Sequence, residues 1–246
     1  HYVPDTTKTG AATNAAAVAE GVVSNNASKN DYDKLEAYLE YIKNAVSYNR
    51  DAANSLQPGA APHPNDSPWQ LIDVFHGTDT LNHKQVVCEG YAKAFQYLCD
   101  LSNFTGTVSS SLVTGTMTGG TGAGLHMWNV VSIGGANYLV DVTNCDEGSV
   151  GAPKQLFLWG GTGTVDGGYT FTSVSGQQVN YTYDEETKSN YNADELELSA
   201  SAYTPQAELT GSVTISGEAK IDVPLTANTS GLPGNATELT YQWYRM

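Results

Sequence analysis

Positive charge is scarce in this chain. Eleven Lys and Arg stand against 26 Asp and Glu, a formal net charge of −15 over 246 residues. Nucleic-acid binding needs Lys and Arg to neutralise phosphates, so that class is excluded. Docking on an anionic lipid surface is excluded for the same reason. Cysteine is equally sparse: Cys88, Cys99 and Cys145 are the complete set. An odd, low number supports no disulfide framework. Cys88 and Cys99 on one helix would stand three turns apart, about 16 Å, beyond disulfide reach. Long apolar runs are also missing. Stretches such as Ala15–Ala19 fall far short of the ~20 residues a membrane-spanning helix needs. No apolar leader segment stands at the N-terminus, which begins at His1. The expectation is a signal peptide already removed and an extracellular or cell-surface location.

What the chain does contain is apolar and small-polar material: 40% hydrophobic residues, 25 Gly and 15 Tyr, with only 15% charged. That is enough for a real core in one large domain or two smaller ones. Residues 1–30 are rich in Ala, Thr, Asn and Gly with weak periodicity, and read as a tether or a loosely packed helix. Over 31–49, Leu35, Tyr38, Leu39, Ile42 and Val46 repeat at helical spacing, with Asp31 or Asp33 available to its N-terminus. Four prolines between Pro58 and Pro68 make 55–68 a loop. Val87–Leu101 carries a second stripe, Tyr91, Ala94, Phe95 and Leu98, which places Cys88 at the helix N-terminus.

After Asn103 the period changes to two. Thr107–Met117 is a strand candidate and the Gly-rich stretch 118–124 a flexible loop. His126–Ile133 and Asn137–Thr143 flank Gly134-Gly135-Ala136, the signal of a hairpin. Leu156–Trp159 is strand-like and leads into a Gly-rich turn at 160–168. Helices followed by strands give an α+β class. From Pro205 the texture becomes short strands with Gly, Pro and Asn turns. It resembles the first half of an Ig-like bacterial repeat, with a core Trp in Leu239–Trp243. An Ig-type sandwich needs ~100 residues, so the chain is expected to be a piece of a longer protein. The expected organisation is a tether at 1–30, one catalytic domain at 31–204, and a truncated Ig-like β module at 205–246.

Three stretches carry chemistry: VVCEGYAKAF at 86–95, LHMWNVV at 125–131 and YLVDVT at 138–143. A cysteine attacks as its thiolate, which a helix N-terminus and a neighbouring imidazolium both favour. Cys88 has the first device, and His126 is placed to supply the second. Asp141 is the candidate acceptor that orients the imidazole. If Gly134-Gly135 is a two-residue type I′ turn, Ile133 faces Ala136 and Asp141 faces Trp128. His126 and Asp141 are then diagonal neighbours on one face, about 7–8 Å apart at Cα. A three-residue loop would shift the parity and separate them.

These blocks resemble the transglutaminase-like superfamily of papain-like cysteine enzymes, whose secreted bacterial members carry Cys-x-Gly-Tyr-Ala, His-x-Trp-Asn and Asp-Val-Thr blocks in that order. Here they are Cys88–Ala92, His126–Asn129 and Tyr138–Thr143, within a resemblance covering about 31–203. The resemblance implies a helix bearing the Cys packed on an antiparallel sheet bearing His and Asp. It implies Cys88 as nucleophile, His126 as general base and acid, and Asp141 as its orienter. Acyl transfer through a thioester, on a protein or peptide substrate such as a cell-wall peptide, follows from it, with hydrolysis or cross-linking as the second step. No cofactor is implied. Members often carry a Trp soon after Asp-Val-Thr, where this chain has Asn144-Cys145. The oxyanion donors are expected from the Cys88 backbone N–H and a partner within 69–85.

Each residue also has a plain structural reading. Cys99 and Cys145 are core residues by their positions. His76, His83 and Cys88 match no metal-ligand spacing. The Gly-rich stretches lack the Lys and the strand–helix context of a phosphate loop. The rival function is a non-catalytic adhesion or cell-wall-binding module that keeps the fold, and the reactivity of Cys88 separates the two.

Overall fold

The computed structural model describes residues 9–55, 67–76, 84–205, 213–218, 220 and 222–230. They fall in two units, His1–Tyr203 and Thr204–Met246. The first is a mixed helix-and-sheet unit. Helices α1 (Thr9–Asn25), α2 (Asp31–Ala45), α3 (Arg50–Asn54) and α4 (Cys88–Asp100) precede most of the strands. The stretch expected as a tether is therefore helical over Thr9–Asn25. Ala15, Ala19 and Val22 are buried on it, and small side chains at i and i+4 let the helix approach the core closely. Asn30, rather than Asp31 or Asp33, caps α2 by accepting the Asp33 N–H at 2.9 Å. Asp31 instead accepts the N–H groups of Thr105 and Gly106.

The apolar stripe on α2 holds as expected: Leu35, Tyr38, Leu39 and Ile42 are fully buried. The helix stops at Ala45, however. Val46–Tyr48 becomes a short strand, β1, that pairs in parallel with β2 (Lys84–Val86). A β-branched residue followed by Ser and Tyr favours the extended state, and the partner strand overrides the helical periodicity.

The main sheet has six strands in the order β5-β4-β3-β8-β7-β6: β3 (Ser109–Thr118), β4 (Gly124–Ile133), β5 (Ala136–Val140), β6 (Gly163–Thr164), β7 (Gly168–Thr172) and β8 (Gln178–Tyr183). All its pairings are antiparallel. The β4–β5 hairpin turns on Gly134 and Gly135, both at positive φ of 63° and 82°. Ile133 pairs with Ala136, the two-residue register of a type I′ turn. The sheet curls. Its registers put Met117, His126, Trp128, Leu139, Tyr181 and Tyr183 on one face, and all six are buried. The opposite face packs on α4. Asn129 there donates toward the Ala92 carbonyl of α4 at 3.3 Å, and Gln96 of α4 donates to the Ser110 carbonyl at 2.7 Å.

Two sequence expectations change here. The strand expected to reach Thr143 ends at Val140, because the Asp141 N–H turns away to the Leu156 carbonyl at 3.0 Å. Asp141 then caps a short helix, α5 (Val142–Cys145). The Leu156–Trp159 stretch forms no strand of its own but joins β5 by a single bridge, Leu139 to Trp159. Helices α6 (Glu185–Asn190) and α7 (Ala193–Leu196) complete the unit.

In the second unit, β9 (Thr214–Ser216) and β10 (Thr226–Asn228) form an antiparallel ribbon. The stretch Leu239–Trp243, on which the Ig-like reading rests, lies outside the described residues. Among the described residues, no helix is long and apolar enough to cross a membrane.

Candidate active site

The Cys block, the His block and the Asp block meet at the N-terminal end of α4. Val87 is the N-cap of that helix and offers no side-chain acceptor. The first N–H groups of α4 therefore receive no cap from it, and they surround Cys88 at the first helical position. Cys88 is half-buried. All three cysteines are free, and Cys99 and Cys145 are buried. Burial raises both of those thiols well above the ordinary range, so neither is a nucleophile at neutral pH.

His126 stands at the start of β4, on the inner face of the sheet. Only 3% of it is exposed. Its Nε2 lies 2.8 Å from Asp141 Oδ2. The hairpin register explains the contact: Asp141 follows Val140, the partner of Asn129, and so shares the face of His126 and Trp128 as the parity requires. With Nε2 engaged by the carboxylate, Nδ1 is left for another partner. That nitrogen is buried and has no hydrogen bond in the resting geometry. The Cys88 thiol is near enough for its charge to favour the imidazolium. Burial disfavours the imidazolium, but the charge of Asp141, then that of Cys88, outweighs it, and the His126 pKa is raised.

Asp141 is 1% exposed and accepts four hydrogen bonds. Oδ2 takes His126 Nε2, the Tyr181 hydroxyl at 2.7 Å and Asn144 Nδ2 at 2.8 Å. Oδ1 takes the Asn144 backbone N–H at 3.1 Å. Burial alone would raise its pKa, yet the His126 charge and the bonds from His126, Tyr181 and Asn144 hold it below the usual carboxylate value. The carboxylate is thus ionised and fixed in place.

Two neighbours, Tyr181 and Tyr48, carry no signal in the sequence, and a third, Asn144, stands out there only as a departure from the family pattern. Tyr181 looked like one tyrosine among fifteen, and only the β3–β8 pairing brings it opposite Met117 and beside Asp141. Asn144 stands where a Trp was expected. It holds Asp141 with one hand and the loop between β3 and β4 with the other: its Oδ1 accepts the Thr121 N–H at 2.8 Å, and its Nδ2 reaches the Thr121 carbonyl at 3.2 Å. The loop expected to be flexible is therefore tied down. Tyr48 arrives through β1, and its phenol lies near both Cys88 and Asp141.

Trp128 is 1% exposed. It stacks against His126 and Tyr183 and meets Tyr181 edge-on. It backs the imidazole as core rather than lining an open cleft. His76 directs Nε2 to the Ala45 carbonyl at 2.8 Å, and His83 lies outside the described residues.

No protein-family profile matches this chain. No curated protein matches it either. Among solved structures, one described as a crystal structure of a TGase is similar, with a TM-score of 0.43 and 16% sequence identity. The match covers 59% of this chain and 35% of that one, so it spans about a third of the neighbour's length.

Proposed function

We propose that this protein is a transglutaminase-like cysteine enzyme that performs acyl transfer through a Cys88 thioester. The observation that carries the reading is the buried His126–Asp141 pair at 2.8 Å. It occupies Nε2 and leaves Nδ1 to the half-buried thiol at the head of α4. In the first step the Cys88 sulfur attacks a carboxamide or peptide carbonyl. His126 gives its proton to the departing amine, and a thioester remains. Water or a second amine then resolves the acyl-enzyme, with His126 as base. Asp141 keeps the ring in the tautomer that this exchange needs.

Hydrolysis is the favoured second step. Water is present at about 55 M, and an amine competes only where a cleft positions it and excludes water. Trp128, one candidate wall for such a cleft, is buried in the core. The substrate is a protein or peptide, such as a cell-wall peptide, met outside the cell. The net charge of −15 attracts lysine-bearing chains to it. The Ig-like nature of 205–246 is part of the same proposal and rests on sequence texture alone.

The test is limiting iodoacetamide at pH 6–7 with mass-spectrometric mapping. Cys88 should be modified well before Cys99 and Cys145. Equal modification of all three, or none at Cys88 in the folded protein, would favour the non-catalytic adhesion module instead.

A further inference from the structure

Acyl transfer at Cys88 creates a negative oxygen, and something must donate to it. The second donor expected within 69–85 has a rival on strand β1. Strand β1 lies parallel to β2 with Tyr48 opposite Val86, two positions before Cys88. The ribbon therefore delivers the Tyr48 side chain to the head of α4. Its hydroxyl packs against Gly122 of the loop between β3 and β4. A Cβ on Gly122 would lie 2.7 Å from the Tyr48 hydroxyl and 3.5 Å from His126 Nδ1. The space a side chain at Gly122 would fill thus borders both the phenol and the ring nitrogen left for Cys88. Gly122 also sits at φ +81°, so a side chain there is disfavoured twice, by space and by backbone.

Two further facts bear on what that hydroxyl does. Burial, then the nearby charges of Cys88 and Asp141, raise the Tyr48 pKa, so it stays protonated and remains a donor. No described residue accepts its hydrogen, in contrast to Tyr181, whose hydroxyl is committed to Asp141.

We infer that the Tyr48 hydroxyl, together with the Cys88 backbone N–H, donates to the oxyanion formed when Cys88 attacks a carbonyl. The inference rests on the reading of Cys88 as the nucleophile. As the C–S bond forms, the carbonyl π pair moves to oxygen. Tyr48 and the Cys88 N–H hydrogen-bond to that oxygen without giving up a proton. The pair then returns to carbon, the C–N bond breaks, and the amine leaves with the proton held by His126. Such donors stabilise the oxyanion because they are held by the fold before the reaction begins.

The experiment compares the full-length protein with its Tyr48→Phe variant, which keeps the ring and removes only the hydroxyl. Two reactions are followed at Cys88. Acylation by p-nitrophenyl acetate passes through an oxyanion and is read as a p-nitrophenol burst with an acetylated Cys88 in the mass spectrum. Alkylation by iodoacetamide passes through none. The expected result is acylation slowed by about a hundred- to a thousandfold, with alkylation changed by less than about twofold. Equal acylation in both proteins overturns the inference and leaves the acyl-transfer reading intact. A parallel loss in both reactions also overturns it, since Tyr48 would then act on the thiol or the imidazole. A wild-type protein that alkylates but never acylates at Cys88 counts against the acyl-transfer reading, and the role of Tyr48 falls with it.

Discussion

Removing the Tyr181 hydroxyl isolates one bond of the Asp141 cluster. In Tyr181→Phe the ring stays, so its edge contact with Trp128 at 5.3 Å and its packing near His126 persist. What is lost is a 2.7 Å hydrogen bond to Asp141 Oδ2. A bond to a charged acceptor contributes ~1.5–3 kcal/mol. Asp141 keeps its bonds from His126 and Asn144, so the carboxylate is not orphaned and a loss of about 2 kcal/mol is expected. For a unit of this size that lowers the melting temperature by about 4–8 °C. The loss has a pH signature. Asp141 is held below its ordinary value, so its ionised, bonded form stabilises the fold above pH ~4 and that contribution disappears as pH falls through the depressed value. Tyr181 is one of the groups responsible for the depression, after the burial and His126 effects. The variant's deficit should therefore be full at pH 6 and should narrow as pH is lowered below ~4, where only a weaker bond to a neutral carboxyl remains. Calorimetry of both proteins at pH 6 and in steps toward pH 2 measures this. A deficit under ~0.5 kcal/mol at pH 6, or one that does not change with pH, would refute the reasoning.

Three further substitutions test the same cluster. His126→Ala should slow alkylation of Cys88 near neutral pH by about tenfold or more, because the imidazolium partner is gone. Asp141→Asn should slow it less, since the carboxylate acts through the ring; wild-type rate–pH profiles in two folded variants would show that His126 is not the partner. Asn144→Ala removes the link between Asp141 and Thr121 and should cost about 1–3 kcal/mol. It should also make the loop at 119–123 the first site of proteolysis, and unchanged cleavage there would mean that other contacts hold the loop.

Much of the candidate site was legible because its parts are local or follow a short register. Cys88 opens a helix whose stripe is visible in Tyr91, Ala94, Phe95 and Leu98. The Gly134-Gly135 pair permits a two-residue turn, whose parity carries His126 and Asp141 to one face; a three-residue loop would have separated them, and the observed register is the two-residue one. The helix at 9–25 was less legible, because alanines bury themselves against a partner without producing a strong apolar contrast. The end of β5 was hidden too. Val142 and Thr143 favour a strand by composition, yet the Asp141 N–H bonds to Leu156, a partner that no local pattern announces.

What the amino-acid order determined by itself is thus the α+β class, the presence of a hairpin and the candidate Cys, His and Asp blocks, since period and turn chemistry act over a few residues; the register that joins His126 to Asp141 was settled by the fold. The tertiary structure alone decided which groups complete the cluster. Tyr181 reaches Asp141 through the β3–β8 pairing, Asn144 joins it to the glycine-rich loop, and Tyr48 comes to the head of α4 through a ribbon whose strands are separated by a long stretch of chain. Pairing between distant strands depends on which surfaces remain unburied once the local elements have formed, and that information is spread over the whole chain rather than written at Tyr48 or Tyr181.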